Sequence, residues 1–243
     1  MRDCGFKTVC TPFDEASVDL IETQGIEIIK IASCSLTDWP LLERIARTDK
    51  PIIASTAGAT PEDVDNVVSF FLHRSKQLTL MHCVAEYPTP DENLHIARIA
   101  ALRTRYPEVR IGYSTHESPE KTEPVMLALA KGARVFEKHV GLPTERYALN
   151  AYSANPSQVR QWLAAAQRAQ VLCGSEAWPA ATKAEAESLH SLRRGVYLTR
   201  QVATGEAVDG SAVCFAFPAI PGQITANQWS KYSHHIAAQP LTA

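Results

Sequence analysis

Short apolar runs and stretches with apolar residues at helical spacing take turns along the first two thirds of the chain. A short run rich in β-branched residues suits a strand covered on both faces, and apolar residues at i, i+3, i+4 and i+7 suit a helix. Residues 6–11 open as a strand. Pro12-Phe13-Asp14 then turns the chain into a helix over 15–23, with Val18, Leu20 and Ile21 facing inward and Gly25 as its stop. Residues 26–32 form the second strand, broken only by Glu27 and Lys30. A helix over about 38–47, with Pro40 in its first turn, leads to a third strand at 51–55. Thr60-Pro61-Glu62-Asp63 is a helix start: an N-cap, a proline at the first position, and acids at the positive end of the dipole. Val64, Val67, Val68, Phe71 and Leu72 follow at helical spacing, and 78–83 is the fourth strand. After the proline-rich loop 85–90, a helix over about 92–105 reaches a fifth strand at 111–113. Ser118-Pro119 opens the next helix, with Val125, Met126, Leu129 and Ala130 on one face and Gly132 as its stop. Residues 134–136 are the sixth strand. Asn155-Pro156 starts an amphipathic helix carrying Val159, Trp162, Leu163 and Ala166, which ends near Gly174.

Six strand–helix repeats with short connections predict a parallel sheet with right-handed crossovers. Two geometries compete, an open doubly wound sheet and a (β/α)₈ TIM barrel. No GxGxxG or GxxxxGK[ST] phosphate loop is present. Polar residues recur where the strands end: Thr11, Ser33, Ser55, Tyr87, Ser114, His116 and His139. Such a ring of ends is what a barrel mouth requires, so the barrel is favoured, two strand–helix units short. Residues 1–5 resemble the last turn of a helix with its glycine stop, consistent with two units lost upstream. The expected organisation is a partial barrel over 1–174, a linker over 175–192 that is charged and helix-prone from 180, and a small β-rich module over 193–243. In that module, 196–198 and 213–217 are strands, Thr204-Gly205-Glu206 is a turn, and Trp229 anchors a small core.

Composition narrows the function classes. The 243 residues are 45% hydrophobic and 21% charged, with a net charge of −2, which is ordinary for a globular protein. The longest basic block is Arg193-Arg194, so neither nucleic acid nor a membrane surface is an expected partner. No apolar run approaches the roughly 20 residues of a membrane span, and residues 1–5 carry no apolar leader segment. The six cysteines are scattered without a CxxC, and five lie in or beside apolar runs. Buried free thiols in a cytoplasmic protein are the expectation.

The candidate chemistry centres on 111–142, a strand–helix–strand unit with a histidine at the C-terminal end of each strand. Two imidazoles there could share one divalent metal, or be hydrogen-bonded scaffold; their spacing alone does not decide.

Several stretches taken in order resemble the N-acetylneuraminate (sialic acid) synthase family, including its spore-coat polysaccharide biosynthesis proteins. They are Thr11-Pro12-Phe13-Asp14, Lys30-Ile31-Ala32-Ser33, Ser55-Thr56, His82-Cys83 with Tyr87-Pro88, Gly112-Tyr113-Ser114-Thr115-His116, and Glu137-Lys138-His139. Arg193-Arg194-Gly195 with Gly205-Glu206 resembles the start of that family's antifreeze-like (SAF) domain. The resemblance implies a TIM barrel followed by that domain. It also implies an enzyme that condenses phosphoenolpyruvate with an N-acetylated aldose, giving a 2-keto-3-deoxy nonulosonic acid and phosphate for surface polysaccharide. It further implies Mn²⁺ as metal and a domain-swapped homodimer in the full-length form. Carried over by position, His116 and His139 become the metal ligands, and Lys30 binds phosphoenolpyruvate. Thr11, Ser33, Ser55 and Ser114 add hydroxyls, and Tyr87 and Asn150 line the sugar side. Outside the resemblance, Lys30 could equally be a barrel lysine paired with a neighbouring acid.

The chain departs from the family pattern at several points. Cys34 and Ser35 stand where the family has Gly and an acid. Thr115 replaces the acid before the histidine, Leu149 or Asn150 replaces an aspartate, and Phe217 replaces an arginine. These losses fall on the sugar and acid–base side, so the expected sugar is not necessarily N-acetylmannosamine. The alternatives are a non-catalytic fragment or degenerate homologue, and another metal-dependent barrel aldolase or hydrolase.

Overall fold

The computed structural model describes residues 2–243; Met1, part of the expected N-terminal helix turn, lies outside them. The chain divides into two units, Met1–Gly174 and Ser175–Ala243.

The first unit alternates strands and helices: β1 (Val9–Cys10), α1 (Glu15–Thr23), β2 (Ile28–Ile31), α2 (Trp39–Ala46), β3 (Ile52–Ser55), α3 (Pro61–Leu72), β4 (Leu78–His82), α4 (Arg98–Arg105), β5 (Arg110–Thr115), α5 (Glu123–Ala130), β6 (Val135–Lys138) and α6 (Pro156–Cys173). All six strands are parallel, and their order in the sheet is their order in the chain. A doubly wound sheet reverses order at a switch point; this one does not. Parallel crossovers are right-handed almost without exception, which gathers the helices of such a sheet on one face and leaves the other free to curl inward.

Strand periodicity of two sorts the side chains into two sets. The outward set, Ile29, Ile31, Ile52, Ala54, Leu78, Leu80, Ile111 and Tyr113, is buried with helix residues such as Val18, Leu42, Ile45, Val67, Phe71 and Ile99. The inward set includes Lys30, Ser55, Met81, Gly112, Ser114 and Glu137, aligned by the strand register. Lys30 Nζ lies 3.3 Å from Glu137 Oε2. β2 and β6 are four strand spacings apart, about 19 Å if the sheet were flat, farther than the two side chains can bridge. The sheet is therefore curled into a half-barrel with Lys30 and Glu137 meeting across its concave side.

Several boundaries differ from the sequence expectation. α4 begins at Arg98 rather than near 92, because Asp91–Asn93 make a 3₁₀ turn and His95 sits at φ 45°. α5 begins at Glu123. Ser118 instead closes a turn through Lys121 N–H, and Pro124 takes the first-turn position. Its buried residues are Pro124, Val125 and Ala128, and Ala130 is exposed. Leu20 and Leu163 are exposed, because α1 and α6 bury only the narrower stripes that contain Val18 and Ile21, and Trp162 and Ala169. Five of the six cysteines are exposed, with only Cys83 buried; Cys4, Cys10, Cys34, Cys173 and Cys214 lie at turns, strand edges or helix ends.

The second unit contains α7 (Lys183–Ser191), β7 (Gly195–Leu198), β8 (Val213–Ala216) and α8 (Ala226–Trp229). β7 and β8 pair antiparallel. Val202, Val208, Ala212, Val213 and Ala237 form its core, with Trp229 packed against it and stacked on His235 at 3.7 Å. Among the described residues, no helix is long and apolar enough to cross a membrane.

Candidate active site

The inward-facing residues near the C-terminal strand ends converge. Lys30 donates to Ser55 Oγ at 2.6 Å and pairs with Glu137; the acid that partners it is thus on β6. Ser33, just past β2, accepts Ala57 N–H at 3.1 Å and lies 3.3 Å from Cys83 Sγ. Ser114 is buried and in register with Glu137. Thr11 follows β1, half-buried.

His116 and His139 are the first residues beyond the last rung of the β5–β6 ladder, Thr115 opposite Lys138. Their ring centres are 5.3 Å apart. His116 Nδ1 lies 2.9 Å from the Val84 carbonyl. A carbonyl can only accept, so Nδ1 carries the proton and Nε2 keeps its lone pair. Burial pushes the His116 imidazole below its ordinary range, and His139 adds to the effect, so the ring is neutral at neutral pH.

Two tyrosines wall the histidines. Tyr87 sits 4.5 Å from His116 and 5.1 Å from Tyr152, ring centre to ring centre. Tyr152 presents its ring edge-on to both histidines, 6.3 Å from His116 and 5.0 Å from His139. Burial raises the Tyr87 phenol above its usual range. Asn150 is exposed and meets this cluster through Tyr152, whose N–H it accepts at 3.2 Å. Tyr152 was not singled out from the sequence. It lies in the irregular segment between β6 and α6, where no periodic signal marks it.

Two imidazoles bound to one divalent ion at about 2.1 Å hold their ring centres roughly 5 Å apart, close to the observed separation. Among the described residues no third His, Cys, Asp or Glu completes a metal-binding group. The spacing of the histidine pair fits two of the ligands of one divalent ion.

The profile of the NeuB family matches residues 1–177. A crystal structure from Chromobacterium violaceum, described as a candidate spore coat polysaccharide biosynthesis protein E, is 65% identical. It covers all of this chain and 72% of that one, with a TM-score of 0.98. The spore coat polysaccharide biosynthesis protein SpsE of Bacillus subtilis is 32% identical over 82% of this chain and 56% of its own length. The N,N'-diacetyllegionaminic acid synthase of Campylobacter jejuni is 27% identical over 84% of this chain and 61% of its own. The chain thus spans under two thirds of the length of these two curated relatives.

Proposed function

The chain belongs to the NeuB family, and from that premise we propose that its site condenses phosphoenolpyruvate with an N-acetylated aldose to give a 2-keto-3-deoxy nonulosonic acid and phosphate. The observation that carries this reading is the concave-face triad of Lys30, Ser55 and Glu137 beside the histidine pair. It sets an anion-binding cation next to a divalent-ion site, the two things this reaction needs.

In this reading Lys30 neutralises the enolpyruvate's anionic groups, and Ser55 holds its ammonium in place. Ser33, Ser114 and Thr11 add hydroxyl donors around the same anion. His116 and His139 would hold Mn²⁺, which would supply Lewis-acid polarisation of the sugar aldehyde. The Val84 carbonyl keeps His116 in the tautomer that can bind it. Tyr87 and Tyr152 pack against the sugar and exclude water from its reacting end, with Asn150 at the rim. The new C–C bond joins the methylene carbon of phosphoenolpyruvate to the aldehyde carbon. Water adds at the adjacent carbon, and phosphate leaves.

The same reading makes 1–174 a TIM-barrel synthase region, 175–192 a linker and 193–243 an antifreeze-like module. It places the protein in the cytoplasm, as a domain-swapped homodimer in the full-length form. Phosphate release measured with phosphoenolpyruvate, Mn²⁺ and a panel of N-acetylated aldoses tests it. Release that requires both substrates supports the reading; release independent of the aldose, or none with any aldose, overturns it.

A further inference from the structure

Behind the histidine pair, on the helix-facing side of the sheet, lies an ion pair that the proposed chemistry does not use. Lys138 Nζ donates to Glu117 Oε1 at 3.1 Å, with the two side chains 5% and 0% exposed. The other carboxylate oxygen, Oε2, accepts the Tyr113 hydroxyl at 3.2 Å. Next to them the Thr115 hydroxyl is buried without a hydrogen-bond partner. Replacing such a buried pair with apolar residues of similar volume is often neutral or stabilising, so stability alone is a weak reason for it to be there.

Its place in the chain gives a better reason. Glu117 directly follows His116, and Lys138 directly precedes His139. The β5–β6 ladder ends at Thr115 and Lys138, so backbone pairing stops one residue short of both histidines. Beyond that rung each histidine is tied away from the other. His116 bonds the Val84 carbonyl through its ring and Thr89 N–H through its own carbonyl. The His139 carbonyl accepts Ala154 N–H. Among the described residues, the Glu117–Lys138 pair is the side-chain bond that spans from one strand end to the other at this point.

We propose that Glu117 and Lys138 are positioning residues: a buried brace, anchored by Tyr113, that sets the separation of His116 and His139 and so the affinity of the site for a divalent cation. The inference rests on the two-histidine metal reading above. Groups that hydrogen-bond a metal ligand directly change affinity about 10- to 100-fold when removed, and a brace one residue away from each ligand should act at the lower end of that range.

The test compares the full chain with Glu117→Gln/Lys138→Met, which removes both charges but keeps most of the side-chain volume, and with Glu117→Asp, which keeps the charge but shortens the arm. Mn²⁺ affinity is measured by calorimetry, and melting temperature is followed in parallel. Ring-proton NOEs between His116 and His139 are recorded without metal. The expected result is a folded double variant that binds Mn²⁺ about 10-fold or more weakly, with the NOE reduced, and a smaller loss in Glu117→Asp. Wild-type affinity and an unchanged NOE in either folded variant overturn the brace. If the double variant does not fold, Glu117→Asp alone decides by the same readouts. If the wild-type chain itself binds no Mn²⁺, the metal reading fails. The NOE then decides the brace: loss in a folded variant supports it as the device that spaces the histidines, and retention overturns it.

Discussion

Lys30 on β2 and Glu137 on β6 meet at 3.3 Å across the concave face of a sheet in which three other strands separate them. The pair is a consequence of the curl, and it fixes where the positive charge of the site is held. Ser55 holds the same ammonium from a third strand, so the cation is positioned by tertiary structure and not by its own strand.

Lys30→Met removes this cation while keeping most of its volume. The expected outcome is a fall of about 10²-fold or more in kcat/KM for phosphoenolpyruvate, by analogy with loss of one preorganised charge-stabilising donor. Mn²⁺ affinity should change little, since the lysine is not in the histidine cluster. Steady-state phosphate release beside calorimetry separates the two effects.

Gly112 sits where a side chain cannot. A Cβ there would lie 2.3 Å from Met81 Sδ and 2.5 Å from the Val135 carbonyl oxygen. The methionine can swing away, but the carbonyl belongs to the neighbouring strand β6. Gly112→Ala should therefore destabilise by about 1–3 kcal/mol, and trimming Met81 to alanine alongside it should recover only part of the loss. Denaturant unfolding of the single and double variants measures both.

The Asp65 carboxylate on α3 is held by Arg105 at the end of α4, Nε to Oδ1 at 2.8 Å, and by the Tyr106 hydroxyl at 2.6 Å. Hydrogen bonds from Arg105 and then Tyr106 pull its pKa down from 3.8 to about 2. The folded value lies below the unfolded one, so this clasp stabilises fully above about pH 4 and is lost as pH falls through about 2. Carboxyl carbon shifts should show Asp65 titrating at about pH 2. In Asp65→Asn, the drop in stability between pH 4 and 2 should be shallower than in the wild type.

Exposure of five thiols gives a direct chemical count. Cys4, Cys10, Cys34, Cys173 and Cys214 should react promptly with a thiol reagent in native protein, while Cys83, buried beside Ser33, should react only on unfolding. A sixth fast thiol would contradict the packing of the β4 strand end.

The alternation of strands and helices, and the helix caps with a single start signal, were legible in the sequence. Thr60 and Asp63 form the full capping box at the start of α3, and Asn155 with Gln158 does the same for α6. The start of α5 was misplaced because Ser118-Pro119 and Thr122 with Pro124 offer two similar signals a few residues apart. Only packing, which buries Pro124, Val125 and Ala128, chooses the second. Strand-end histidines could be found because strand ends are where parallel folds place chemistry. Glu137 as the partner of Lys30, Tyr152 as a wall of the site, and the Glu117–Lys138 pair could not. Each depends on contact between elements far apart in sequence or on a loop with no period. The half-barrel curl was likewise inferred from strand-end chemistry, whereas the structure proves it through a single cross-sheet contact.

The two-sided register of the sheet also bears on how this protein can change length over evolution. On β6, Glu137 and His139 look into the concavity, while Lys138 looks out toward the helices. Loss or gain of one residue inside that strand would swap the two faces, burying the acid and the histidine among helices and aiming the lysine into the concavity. No point substitution would repair that. Drift in chain length is thus barred from the short segments that end at 116 and 139, and insertions should accumulate in the irregular stretch between β6 and α6, where spacing does not decide which way a side chain faces.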